Sequence, residues 1–234
     1  MLIAPVAPDL WRFALLEPDL VNVYLAGDVL IDSGGQFTSK QLARALEGRT
    51  VRAHAITHAH FDHQGCSHAV CEHLGVPLWC GEGDRAAMES GDLGLVLPPG
   101  RPTLAWLHRT LAGPRHPVAR TLVEGDQVGG FTVLETPGHT PGHLAFWRER
   151  DGVLILGDVL FHRNPVTRRR GLSEPFRWAT YDRAANLDAA GRLAALRPSV
   201  VCFGHGAPLR NPGAFKVFVS TLLCRRSPGS QARA

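Results

Sequence analysis

Four short apolar runs, at residues 51–57, 131–135, 153–156 and 200–203, lead into His58, His139, Asp158 and His205. Runs of this kind read as strands, and strands buried on both faces are nearly continuous in apolar residues. An ionisable residue following each run places four polar groups at loops where sheet ends can converge. Such a chain needs layers: sheets to bury the runs and helices to cover the sheets. The expected class is α/β (α+β), with one site built at the strand ends.

The rest of the chain fits that frame. Apolar runs at 21–26 and 29–31 flank Gly27-Asp28 and read as a hairpin. Helices are expected at 39–47, closed by Gly48, at 65–74, closed by Gly75, at 184–196 and at 214–224. Further strands are expected at 77–80 and 143–148. Residues 83–120 break the pattern with Gly, Pro and Arg, and are expected to be an insertion with a helix or two, placed to cover a site. Residues 163–177 are expected to be irregular. With 234 residues and 44% hydrophobic content, residues 1–226 can form a single domain, and 227–234 are expected to be a disordered tail.

Composition removes several functions. The net charge of +4 rests on arginine, with Lys40 and Lys216 the only lysines, and only Arg168, Arg169 and Arg170 cluster. No basic face is expected, and so no nucleic-acid partner. No apolar stretch approaches the roughly 20 residues of a membrane helix. Cys66, Cys71, Cys80, Cys202 and Cys224 are odd in number, form no CxxC pair, and follow no secretory signal. Reduced, buried thiols in a cytoplasmic protein are expected.

The densest chemistry lies in Thr57-His58-Ala59-His60-Phe61-Asp62-His63-Gln64-Gly65. Imidazole nitrogen and carboxylate oxygen are the donors that borderline ions such as zinc accept. In an extended segment His58 and His60 point the same way, while Asp62 and His63 begin a helix and face a second position. A polar surface loop would not concentrate four such donors between an apolar strand and a helix. His139 follows in Thr136-Pro137-Gly138-His139-Thr140-Pro141-Gly142-His143, where proline and glycine fix the backbone. His143 begins the next strand, and a supporting hydrogen bond is expected of it rather than ligation. Asp158 ends a buried run and needs a partner or a cation. His205 lies between Gly204 and Gly206. Counted together, His58, His60 and His139 make a three-nitrogen site; Asp62, His63 and His205 make a second; Asp158 can bridge them. Two divalent ions are expected, zinc first, with iron or manganese as alternatives.

In order and spacing these motifs resemble the metallo-β-lactamase superfamily from about residue 21 to residue 208. The resemblance implies a four-layered αββα sandwich with the metals at one edge between its two sheets. It implies the same ligand set, and makes Asp32 of Asp32-Ser33-Gly34-Gly35 a residue that supports a ligand from behind. It also implies a hydrolase in which a hydroxide shared by two metals attacks a carbonyl carbon, with Asp62 orienting it and moving its proton.

Branches of the family separate on single residues. Asp158 argues against antibiotic hydrolysis, because true β-lactamases of this fold generally lack the bridging aspartate. His60 stands where flavodiiron proteins carry glutamate. A full seven-residue set is not expected of persulfide dioxygenases, which bind one iron, and no insert resembles those of the nucleases. Phe161 stands where the related lactonases place a catalytic tyrosine, and only a short helix and tail follow His205, where hydroxyacylglutathione hydrolases carry a helical domain. Ester or thioester hydrolysis is therefore expected, with a lactone as the next substrate and phosphodiester or persulfide chemistry behind it. The rival from another class is a metal-binding module without catalysis. Phe161, Arg163 and Arg168 are candidate contacts to a small-molecule substrate, the arginines for an anionic group. Trp106, His108 and His116 could line a pocket or simply pack or lie exposed. Oligomeric state is not legible in these residues.

Overall fold

The structure, a computed structural model, describes residues 1–16 and 19–226. One sheet among these residues runs in chain order: β1 (Leu2–Ala7), β2 (Leu10–Leu15), β3 (Val21–Ala26), β4 (Val29–Ile31), β5 (Ala53–Ala55), β6 (Leu78–Gly81) and β7 (Arg120–Leu122). Its first four strands are antiparallel, and β4 to β7 are parallel. The second sheet has the order β14 (Val200–Cys202), β11 (Val153–Ile155), β10 (Leu144–Arg148), β9 (Phe131–Glu135), β8 (Gln127–Val128). A separate hairpin joins β12 (Phe161–Arg163) to β13 (Arg170–Ser173).

Period-two alternation explains the layering. In β3, Val23 and Leu25 face a cluster with Leu42, Ala45, Val70 and Met88. Those partners come from α1 (Ser39–Leu46), α3 (Ser67–Leu74) and α4 (Glu82–Ser90). Tyr24 and Ala26 face the other way, into a cluster with Val133, Leu144, Phe146 and Ile155 of the second sheet. Leu154 and Val201, on the far side of that sheet, pack with Leu187, Leu193, Phe215 and Val219 of α6 (Arg183–Ala195) and α7 (Pro212–Arg226). Three apolar clusters between four layers give the expected αββα sandwich. Removing a ring such as Phe146, fully buried between the sheets, would cost about 3–5 kcal/mol.

Several elements differ from expectation. The helix expected at 65–74 is α3, which begins at Ser67, and a separate short helix, α2 (Phe61–Gln64), precedes it. Between the two, Gly65 keeps helical dihedrals and Cys66 (φ −101°, ψ 4°) departs from them; a Cβ on Gly65 would collide with the Gln36 amide. β1 and β2 had no counterpart in the sequence reading. β1 carries Pro5 and pairs only with β2, as proline in a strand requires. Residues 163–177, expected to be irregular, hold β13, a half-exposed strand containing Gly171. Residues 83–120 hold most of α4 and all of α5 (Pro102–Leu111). The tail expected to be disordered, 227–234, lies outside the described residues. No helix among them is long and apolar enough to cross a membrane.

Candidate metal centre

β5, β11 and β14 all end at one edge of the sandwich, and the turn from β9 to β10 reaches the same place. His60 has extended backbone (φ −75°, ψ 153°) and caps α2, its carbonyl accepting from the His63 and Gln64 amides. The loop therefore changes from extended to helical spacing between His60 and Asp62, and this brings His58, His60, Asp62 and His63 to one side. His58, His60, His63, His139, Asp158 and His205 are all buried; only Asp62 reaches solvent, with 23% of its side chain exposed.

Asp158 Oδ2 is the hub. It lies 3.0 Å from His205 Nε2, 3.5 Å from His63 Nε2, 3.6 Å from His139 Nε2 and 3.8 Å from His58 Nε2. Asp62 Oδ2 is 3.4 Å from His205 Nε2. Three sets have donor atoms within 4.8 Å of one another: His58, His60 and His139; His58, His63 and Asp158; Asp62, His63 and His205. The seven residues singled out in the sequence thus meet at one place.

Hydrogen bonds from behind fix which nitrogen faces inward. The Thr57 hydroxyl donates to Asp32, so at 2.9 Å it accepts from His58 Nδ1. Asp32 also accepts from the Thr57 amide at 2.7 Å and from His63 Nδ1 at 2.9 Å. It does so from left-handed backbone, φ 63°, a region that aspartate tolerates better than most residues. The Thr180 hydroxyl donates to the Phe176 carbonyl and accepts from His139 Nδ1 at 3.2 Å. His205 Nδ1 donates to the Leu20 carbonyl. In these four rings Nδ1 is engaged from behind, which leaves Nε2 to face the centre. His143 is arranged the other way: its Nε2 accepts from the Asp158 amide at 3.1 Å and its Nδ1 meets the Thr136 hydroxyl at 2.8 Å. Both nitrogens are used, and the ring holds the backbone of Asp158.

Burial pushes His58 and His60 well below the ordinary histidine range, and takes His139 to about 4 and His143 to about 3. Burial acts in the same sense on His63 and His205, but Asp158 and the neighbouring aspartates outweigh it and hold both above that range. Asp158 is kept well below the usual carboxylate range, because His205 and His63 prevail over its burial.

The donor set fits divalent metal. His58 Nε2, His60 Nε2, His139 Nε2 and Asp158 Oδ1 are buried without a hydrogen-bond partner among the described residues. Each such atom costs about 1–3 kcal/mol when left unsatisfied, and three imidazole nitrogens within 4.8 Å of one another, beside an unpartnered carboxylate oxygen, are the signature of cation ligands. Gly204 gives the room, since a Cβ there would overlap the Asp158 carboxylate.

The structure adds residues that the motifs do not reveal. Asp84, at the start of α4 and fully buried, accepts from the Ala59 amide (2.8 Å), the Thr140 hydroxyl (2.8 Å) and the Gly142 amide (2.7 Å). It ties the His58–His60 loop to the His139 loop. Asn22 donates to the carbonyls of Phe203 and Gly206, and Tyr24 to that of Phe203, so β3 anchors the His205 loop. His108 of α5 packs edge-on against His60, with ring centroids 5.2 Å apart. Of the candidate substrate contacts, Phe161 lies against His205 (4.9 Å) and His139 (6.4 Å). Arg163 is buried, with its amide on the His205 carbonyl and Nε without a partner. Arg168 is exposed in the turn between β12 and β13.

Comparison with known proteins agrees with this geometry. The profile of the metallo-beta-lactamase superfamily matches residues 16–205. The Bacillus subtilis protein named probable metallo-hydrolase YflN is 29% identical over 77% of this chain and 76% of its own. Hydroxyacylglutathione hydrolase GloC of Haemophilus influenzae is 30% identical over 56% of this chain and 60% of its own. Among solved structures, TTHA1623 in a di-iron-bound form superposes with a TM-score of 0.66 at 30% identity, covering 86% of this chain and 98% of that one. The BLEG-1 B3 metallo-beta-lactamase gives 0.65 at 27%, covering 86% and 93%. A profile spanning most of the chain, and the histidine–aspartate groups it encloses, make this protein a member of the metallo-beta-lactamase superfamily.

Proposed function

We propose that this protein is a dinuclear metal-dependent hydrolase of carboxylic esters or thioesters. The observation that carries the reading is three overlapping donor sets around Asp158, whose Oδ2 lies within 3.8 Å of His58, His63, His139 and His205, with three buried imidazole nitrogens left unpartnered. His58, His60 and His139 would hold one ion, Asp62, His63 and His205 the other, and Asp158 both. Zinc suits the donors; the di-iron form of TTHA1623 makes iron the alternative that metal analysis decides. Bound ions of this kind supply an acidified water and a Lewis acid for the carbonyl oxygen.

The chain's own groups support the remaining tasks. Asp62, alone of the seven in reaching solvent, would hold the proton of the attacking water on its carboxylate and pass it to the leaving group. Asp32, Thr57, Thr180 and His143 keep the rings and Asp158 in register. Rings run outward from the centre: Phe161 to Phe176 at 5.7 Å, then Phe176 stacked on Trp178 at 4.9 Å. Trp178 borders a groove with Leu104, Trp106 and Leu107 of α5, which suits an apolar acyl or alcohol group. The partnerless Nε of Arg163 supports a contact to an anionic part of the substrate. GloC, named for hydrolysis of hydroxyacylglutathione, favours an acyl–sulfur bond within the same class.

The test is a panel of chromogenic ester, thioester, lactone and phosphodiester on protein of known metal content. Ester or thioester turnover that chelation abolishes and zinc restores is expected. Turnover of the phosphodiester alone, or of no member by protein holding two equivalents of metal, would overturn the reading.

A further inference from the structure

A second group of metal-ligating side chains lies apart from the centre. His68 and Glu72 are four residues apart on α3 and so share a face. His116 reaches them from the segment between α5 and β7. His68 Nδ1 and His116 Nδ1 are 3.2 Å apart, and His116 Nδ1 is 3.8 Å from Glu72 Oε1. The three donor atoms lie within 4.8 Å of one another.

A ring-to-ring hydrogen bond explains this arrangement incompletely. One shared proton can join the two nitrogens, but the carboxylate then faces them at 3.8 Å, too far to accept. A cation satisfies all three. Two nitrogens bound to one tetrahedral zinc at the usual bond length are about 3.3 Å apart, close to the observed separation. The rings meet edge-on, with centroids 5.3 Å apart and planes at 69°, which keeps both lone pairs free to converge. His116 keeps only 12% of its side chain exposed, while Glu72 is open to solvent, so an ion has both a partly desolvated floor and a path in.

We propose that His68, Glu72 and His116 form a separate mononuclear site for a divalent cation of the zinc class, clasping the segment between α5 and β7 onto α3. The segment has other fixed points: Val118 is buried in the core, Ala112 packs against it, and the Ala119 amide donates to the Leu78 carbonyl at 2.9 Å. Gly113 passes so close to the Gly65 carbonyl that a Cβ there would overlap it, and the His116 amide donates to the Met88 carbonyl at 3.0 Å. The clasp adds a side-chain tie from α3 to the middle of this segment. Water completes the coordination, as in open three-ligand zinc sites.

The test compares the full chain with His68→Gln, Glu72→Gln and His116→Gln, each dialysed free of loose metal. Total zinc by mass spectrometry is expected to be one equivalent higher in wild type than in each variant, whatever number the other centre holds. If dialysis strips the clasp, calorimetric titration of protein already loaded at that centre is expected to show one further zinc in wild type, bound at least tenfold more weakly in the variants. Zinc is also expected to slow tryptic cleavage after Arg115 in wild type only, because the open segment is what the protease cuts. Glu72→Gln alters an exposed side chain, so circular dichroism and a metal-free thermal midpoint equal to wild type certify its fold. Equal zinc content and equal titration in wild type and all three variants would overturn the proposal, as would unchanged cleavage after Arg115 on adding zinc to wild type. Neither result bears on the histidine–aspartate centre.

Discussion

Asp84→Asn separates the role of Asp84 in positioning ligands from its role in stability. Asp84 Oδ2 accepts two bonds, from the Ala59 amide and the Thr140 hydroxyl, and Oδ1 accepts one, from the Gly142 amide. An asparagine can keep the first two only by turning its amide nitrogen against the Gly142 N–H. That donor is then buried and unpaired, a loss of about 1–3 kcal/mol. The loop cannot retreat to repair it, since Gly81 and Gly83 already pack on Pro141 and Gly142 with no room for a Cβ. Against this stands the charge: burial pushes the Asp84 carboxyl from 3.8 up to about 6 despite its three donors. Ionised at neutral pH, it therefore costs the fold about 3 kcal/mol, which a neutral amide relieves. The two terms nearly cancel, so urea unfolding of metal-free protein at pH 7 is expected to change by less than about 2 kcal/mol in either direction. Metal affinity is not balanced in this way. The lost bond is one of the two that hold the His139 loop to Asp84, and supports of this kind are worth about 10–100-fold in affinity. Competition with a chromogenic chelator measures it. D84N with wild-type metal affinity would refute the positioning role, and D84N destabilised well beyond 3 kcal/mol would refute the electrostatic half of the argument.

Three further outcomes are expected. His54 is fully buried between the Leu30 carbonyl and Ser67, and burial lowers it to about 4 from 6.5. Its contribution is thus complete above pH 6.5 and lost as pH falls to about 4, some 3 kcal/mol in all; the pH profile of unfolding free energy should flatten by that amount in His54→Gln, and an unchanged slope would dismiss His54 as its source. Asp32→Asn sets an amide nitrogen against either His63 Nδ1 or the Thr57 N–H, both of which Asp32 now accepts; chelator competition should show a 10–100-fold loss of metal affinity, about 1–3 kcal/mol. Metal removal should lower the thermal midpoint by about 5–10 °C, because an ion at a hundredfold excess over its Kd contributes about 2.7 kcal/mol; calorimetry showing no difference between loaded and stripped protein would contradict the fit of the centre to metal.

The ligands were legible and their supports were not, for a physical reason. A metal site demands particular side-chain types, and His58, His60, Asp62 and His63 crowd into six positions where no strand or helix needs them. Asp158 and His205 stand out because each interrupts an apolar run that burial alone would have continued. Asp84 had no such mark. Two of its three partners are backbone amides, which every residue but proline carries, and it sits where no periodicity guides the eye. Asn22 and Tyr24 hold carbonyls about 180 positions away, and no local pattern encodes a partner so remote. His68 and His116, 48 positions apart, were joined only by the fold. The strands follow the same rule: β3 and β4 were legible through the glycine between two apolar runs, whereas β1, an edge strand with Pro5, owes its place to β2. Side-chain chemistry can thus be read along the chain, while groups that answer to backbone are found only once the layers bring them together. In this protein the second kind decides whether the first can work, because six good ligands on three unlinked loops would not converge on one Asp158.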